Sequence, residues 1–241
     1  MDSVRQTETA SQIQKELREL ADEKAARHAM RFFKTGKGQY GEGDIFLGIR
    51  VPVLRNLSKK YQDISLTEIT ALLASPYHEE RLFALIILVN QYQKSPPEAQ
   101  TAIFRQYLTH TPAVNNWDLV DLSAPYIPGP YLFERDRQPL YDLAASANLW
   151  ERRIAIVATA YFIRHRDFQD TLRLSEILLR DREDLIHKAV GWMLREVGKR
   201  DQDVLEGFLK TRYQSMPRTM LRYAIEKFEE DKRKQYLKGN V

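Results

Sequence analysis

The chain has 241 residues, 43% hydrophobic and 29% charged, with a formal net charge of +4 and no cysteine. That composition describes a globular protein of one large or two small domains and excludes disulfides, thiolate zinc sites and cysteine nucleophiles. No apolar run approaches the roughly 18 residues of a membrane span, and residues 1–6 lack the apolar core of a signal peptide, so a cytoplasmic protein is expected.

Residues 1–10 are polar and expected to fray. From Ser11 to about Lys34 a helical pattern runs, with Ile13, Leu17, Leu20 and Ala21 on one face, followed by Ala25, His28, Ala29 and Phe32. Gly36 to Gly41 match Gly-x-Gly-x-x-Gly, but they follow a helix instead of a strand, which reads as a flexible loop and not a nucleotide site. Pro52 suits a first helical position, and that helix should reach about Tyr61. Ser65-Leu66-Thr67-Glu68 reads as a capping box for a helix ending near Ser75-Pro76. Further helices are predicted at about 78–93, 97–109, 114–124, 131–145, 149–165, 168–180, 184–199, 202–213 and 217–236. Strand-like alternation is missing almost everywhere, so the fold class is all-α, with one domain over 11–236 and a polar tail at 237–241.

Charge is uneven. Residues 151–241 hold 20 Lys and Arg against 15 Asp and Glu, a balance of +5, whereas 17 against 18 in residues 1–150 leave −1. A basic second part fits a polyanionic partner. The five histidines show no His-x-x-x-His pair, and neither a metal nor another cofactor is expected.

A repeat shows in register: Arg81, Trp117, Arg153 and Lys188 are spaced by 36, 36 and 35 residues, each ahead of an apolar helical run. Helical units of that length stack into an α-solenoid of HEAT-like repeats. Equivalent positions would then line one curved, basic, concave face suited to a duplex and its phosphates.

Three stretches carry candidate chemistry. Trp117 and Asp121, in Asn115-Asn116-Trp117-Asp118-Leu119-Val120-Asp121, are four residues apart and share one helix face. A flat ring beside a fixed negative charge suits a cationic transition state with C–H edges, such as a sugar oxocarbenium ion. The plainer reading is a buried tryptophan beside a solvated aspartate. Lys188, Trp192, Arg195 and Lys199 fall at i, i+4, i+7 and i+11, a stripe of three cations around a tryptophan. Its apolar neighbours already supply a core face, so the alternatives are a ligand contact and packing between repeats. In Asn148-Leu149-Trp150-Glu151-Arg152-Arg153, two arginines can hold phosphates or pair with nearby carboxylates.

These motifs, with Phe46-Leu47-Gly48-Ile49-Arg50-Val51-Pro52, Ala189-Val190-Gly191-Trp192-Met193-Leu194-Arg195-Glu196 and the run from Met216 to Phe228, resemble the AlkD-like DNA alkylation repair family. The resemblance spans about Lys15 to Phe228. It implies a HEAT-like-repeat DNA glycosylase that hydrolyses cationic alkylated purines, N3-alkyladenine and N7-alkylguanine, from duplex DNA. Recognition would run through the sugar-phosphate backbone, without a base-flipping pocket, and with no lyase activity. The matching positions imply Trp117, Asp121, Arg153 and Trp192 as catalytic residues, and Arg50, Val51, Arg55, Lys188, Arg195 and Lys199 as DNA-binding residues. Val51 replaces a hydroxyl-bearing residue, and Phe32 stands where a tyrosine can occur. The expected partner is double-stranded DNA carrying alkylated bases, bound by a nucleoid-associated monomer. The alternative is a non-catalytic helical-repeat module that binds DNA or protein.

Overall fold

The computed structural model describes residues 9–241, and its elements are helices. The one extended pairing among the described residues is a parallel bridge between Ile45 and Tyr77. Of the stretch expected to fray, residues 1–8 lie outside the described residues. Thr9 caps the first helix, and Ala10 is buried with its N–H on the Glu68 carboxylate at 2.5 Å. No helix among the described residues is long and apolar enough to cross a membrane. The chain divides into two compact units after Ser123.

The first unit contains α1 (Ala10–Glu19), α2 (Glu23–Phe32), α3 (Val51–Leu57), α4 (Leu66–Leu73), α5 (His78–Lys94), α6 (Pro97–Thr109) and α7 (Trp117–Ser123). The continuous helix expected from Ser11 to Lys34 is broken in two. Leu20 closes α1, and Asp22 starts α2 by accepting the N–H groups of Lys24 at 2.9 Å and Ala25 at 3.0 Å. The Asp22 N–H goes instead to the Leu47 carbonyl at 2.9 Å, a long-range bond that local periodicity does not register. Gly48 makes that approach possible: its φ is +83°, and an added Cβ would lie 2.3 Å from the Asp22 carbonyl oxygen.

The Gly36–Gly41 loop is a run of hydrogen-bonded turns. Its Gly36 and Gly38 N–H groups are taken by the Gln39 and Glu42 side chains at 3.0 and 2.7 Å, which leaves neither amide for a phosphate.

Helix α5 is the hub of this unit. Every residue from His78 to Val89 is buried, and α3, α4, α6 and α7 pack on it. Its polar N-terminal turn is tolerable because each charge is matched. Glu79 accepts the N–H groups of Leu47, Gly48 and Ile49, and Glu80 takes Ser75 at 2.6 Å and Arg18 at 3.0 Å.

The second unit contains α8 (Pro128–Leu132), α9 (Gln138–Ala144), α10 (Leu149–Ala158), α11 (Ala160–Arg164), α12 (Gln169–Ile177), α13 (Asp184–Gly198), α14 (Gln202–Lys210), α15 (Arg218–Ala224) and α16 (Glu230–Lys238). α9 packs with α10, α12 with α13, and α14 and α15 with α13, while α10 lies on α13. Two-helix steps of this kind stack as helical repeats do.

Several expected long helices are split. At 131–145 the Arg137 guanidinium takes the Phe133 carbonyl at 2.6 Å and pairs with Asp167 and Asp170, replacing continued helix. At 149–165 the Thr159 hydroxyl donates to the Ile156 carbonyl at 2.6 Å and interrupts the ladder. The tail at 237–241 is tied down, since the Tyr213 hydroxyl lies 2.8 Å from the Val241 carbonyl oxygen.

Candidate active site and DNA-binding residues

Within the first unit, Trp117 is the first residue of α7 and Asp121 its fifth, so the two share a face of one helix. Both are half-buried. The Asn116 carboxamide oxygen starts the helix by accepting the Trp117 N–H at 2.9 Å. One face of the Trp117 ring stacks on Phe33 at 5.2 Å and 21°, and Phe32 meets it edge-on at 6.0 Å. Phe33 continues onto Phe46 at 4.9 Å, and Phe46 onto His78 at 4.4 Å, which puts a stack of three rings behind the tryptophan. The tryptophan is therefore held in place by its neighbours. Asp121 has electrostatic reach as well: burial raises the pKa of the Tyr107 hydroxyl, and the Asp121 carboxylate raises it further.

Asp118 has its own task. Its Oδ2 meets His78 Nε2 at 2.8 Å, and Asp44 Oδ2 meets His78 Nδ1 at 2.9 Å. The other Asp44 oxygen accepts from Arg81 at 2.5 Å, and Arg81 also reaches Asn115 Oδ1 at 3.1 Å. Carboxylates only accept, so both imidazole nitrogens must donate and His78 is held as the imidazolium. Burial pulls its pKa down, but the hydrogen bonds it donates to Asp118 and Asp44 outweigh that and push it up to about 9. Burial likewise raises Asp44, and His78 and Arg81 more than reverse it, leaving its carboxyl below the ordinary value. Two cations and two carboxylates thus fasten α5 to the start of α7.

The sequence pattern does not register this network, and the 36-residue spacing puts Arg81 in register with the face expected to meet phosphates. Arg81 is 5% exposed and committed to Asp44, so it does not line a surface. The signal available was the run His78-Glu79-Glu80-Arg81 opening an otherwise apolar helix.

Arg50, Val51 and Arg55 lie together on α3, where Arg50 is the N-cap, and all three are exposed. A cleft of about 710 Å³ opens beside them, bounded by Phe32, Phe33, Phe46, Arg50, His78 and Asp118 among others.

Within the second unit, Lys188, Trp192 and Arg195 run along α13, and Lys199 is its C-cap. Trp192 is half-buried. The stripe is not a bare cationic surface. Lys188 pairs with Asp184 at 2.7 Å, Lys199 with Glu196 at 2.6 Å, and Arg195 with Glu226. Asp184 is held below the usual carboxylate range by the Lys188 hydrogen bond. Arg153, on α10, is 5% exposed and donates to the Leu185 carbonyl at 2.7 Å, which ties α10 to the first turn of α13. Arg152 is drawn to Asp181 at 2.6 Å. Next to Trp192, Gly191 lets α15 approach, since a Cβ there would lie 2.5 Å from the Met220 carbonyl oxygen.

Comparison with known proteins is consistent with this arrangement of helices. A solved structure described as a predicted DNA alkylation repair enzyme from Enterococcus faecalis superposes with a TM-score of 0.68 at 19% identity, covering 87% of this chain and 97% of that one. AlkD2 from Streptococcus mutans superposes with a TM-score of 0.53 at 15% identity, covering 92% of this chain and 97% of that one. At such identities the likeness is one of fold. A search of curated proteins gives no match. The model of the family described as DNA alkylation repair enzyme matches residues 13–228, nearly the whole chain, and the chain belongs to that family.

Proposed function

We propose that the protein is a DNA N-glycosylase that hydrolyses cationic alkylated purines, N3-alkyladenine and N7-alkylguanine, from duplex DNA. The observation that carries this reading is the pairing of Trp117 and Asp121 on one face of α7 in a chain of the DNA alkylation repair family. N3- and N7-alkylated purines are positively charged and leave readily, so little acid assistance is required. What needs stabilising is the deoxyribose as the glycosidic bond breaks and positive charge builds at C1′. The Asp121 carboxylate is the group for that role and for orienting the attacking water. Trp117 would place its ring face against the polarised C–H groups of the sugar, and Trp192 is the aromatic that the second unit offers to DNA. No lysine lies in the Trp117–Asp121 motif to form a Schiff base, so the product is an abasic site in an uncut strand.

Arg50, Arg55, Lys188, Arg195 and Lys199 are assigned to DNA phosphates, with Val51 offering backbone contact only. Arg153, 5% exposed and bound to the Leu185 carbonyl, would serve the catalytic set by positioning α13. The carboxylate partners of Lys188, Arg195 and Lys199 do not oppose this. Pairs at a solvated surface are worth only about 0–1 kcal/mol, and a phosphate can replace them. Binding through the backbone leaves the damaged base stacked, so bulky adducts would be accepted. The protein would work as a monomer.

The test is release of free base from duplex containing N7-methylguanine. Asp121→Asn keeps the shape and removes the charge, and excision should slow about 10²–10³-fold, the usual cost of one preorganised electrostatic group. Binding to undamaged duplex should be retained or tighten. Normal excision by Asp121→Asn, or no free base from the unaltered protein, overturns the reading.

A further inference from the structure

A cleft of about 710 Å³ opens in the first unit. Its size falls inside the roughly 300–1,000 Å³ typical of small-ligand sites. Phe33 and Phe46 line it but spend their faces on ring neighbours. Phe32, at the end of α2, exposes 59% of its surface there and is a large apolar ring left open to a visitor.

The charges around the cleft are sorted. Asp22, Glu79 and Asp118 are all engaged: Asp22 with the first amides of α2, Glu79 with three backbone N–H groups, and Asp118 with His78 and the Leu119 N–H. Lys24 and Arg50 are the reverse. Among the described residues neither makes an ion pair or a side-chain hydrogen bond, although both are exposed at the cleft beside His28. That distinguishes them from Lys188, Arg195 and Lys199, each of which has a carboxylate. After the Ala25 and Lys24 N–H groups, both cations help to lower the Asp22 pKa, but neither is tied to that carboxylate by a direct contact. An open aromatic ring with two cations in no ion pair asks for a flat apolar group joined to an anion.

We propose that this cleft binds one unpaired nucleotide of a DNA strand, its base against Phe32 and its phosphate at Arg50 and Lys24. Stacking platforms beside a cationic groove are the general means of holding single-stranded nucleic acid, and they tolerate any base because every base has a π-face. Phe32 also touches the edge of Trp117, so an unpaired nucleotide here would adjoin the helix that carries Asp121. The inference rests on the reading that the protein acts on DNA, but not on its being a glycosylase.

The experiment compares two labelled strands of equal length, an oligothymidylate and one made of abasic tetrahydrofuran units, by fluorescence anisotropy at fixed salt. Both carry the same phosphates and differ only in bases. The unaltered protein should prefer the thymidylate by about 5- to 100-fold, the range one stacked base supplies. Phe32→Ala should abolish the preference and leave the abasic strand bound as before, whereas Arg50→Gln should weaken both strands equally. Phe32 is exposed, so its truncation should not unfold the unit, and circular dichroism checks this. Equal binding of the two strands, binding of neither, or a preference that survives Phe32→Ala overturns the proposal. Excision of N7-methylguanine from duplex, measured on the same preparation, separates the two ideas: base preference without excision removes the glycosylase and keeps the nucleotide site, and the opposite result does the reverse.

Discussion

Replacing His78 by Gln removes the one positive charge between Asp44 and Asp118 while keeping a side chain able to donate to one of them. The magnitude follows from the proton. In the folded protein His78 keeps it to about pH 9, and in the unfolded chain it releases it near 6.5. Between those values the folded state binds more protons, so stability falls as pH rises. Each pKa unit corresponds to about 1.4 kcal/mol, and the full window therefore removes about 3 kcal/mol. The contribution is complete below pH 6.5 and gone above about 9. Urea unfolding of the unaltered protein, followed at several pH values across that window, should show the decline. In His78→Gln the decline should vanish, and the stability should sit low throughout because two carboxylates then face each other across a buried gap. Nitrogen NMR of the His78 ring reads the same pKa directly. Asp118→Asn should leave His78 with Asp44 alone and bring its pKa back towards 6.5. A flat stability profile between pH 6.5 and 9, or the same slope in His78→Gln, would refute the argument.

Gly48→Ala should lower the urea midpoint by the equivalent of at least about 1–3 kcal/mol, because a positive φ and a carbonyl oxygen 2.3 Å from the new Cβ must both be relieved. Duplex affinity should fall with salt, log against log, with a slope near −0.9 for each of about five or six phosphates, and a flat profile in a titration series would remove duplex binding. Arg153→Ala should cost stability of about 1–3 kcal/mol, since it strips the Leu185 carbonyl of a buried donor, and should weaken binding and turnover together when both are assayed.

Helices α5, α6 and α13 lie where the apolar period put them, at 78–93, 97–109 and 184–199, because a helix is made of bonds four residues apart and its pattern is local. The same locality places Trp117 and Asp121 on one face, and places Asp184 and Glu196 within reach of Lys188 and Lys199. Family membership was legible for a related reason: the motifs that carry the resemblance are short, local stretches in a fixed order along the chain, and the family model matches residues 13–228.

What tertiary structure alone decided is of longer range. The break of the first helix at Asp22 depends on Leu47, and the turn at Arg137 on Asp167 and Asp170. The burial of Arg81 depends on Asp44 and Asn115, 37 and 34 residues away, and the charge on His78 on partners 34 and 40 residues away. The amino-acid pattern shows that such groups are ionisable, but only packing decides which of them leave water. Once they are buried, an unmatched charge costs more than a broken helix does. For that reason a lone histidine in the sequence becomes a fixed cation in the fold, and a cation expected on the surface becomes part of the core.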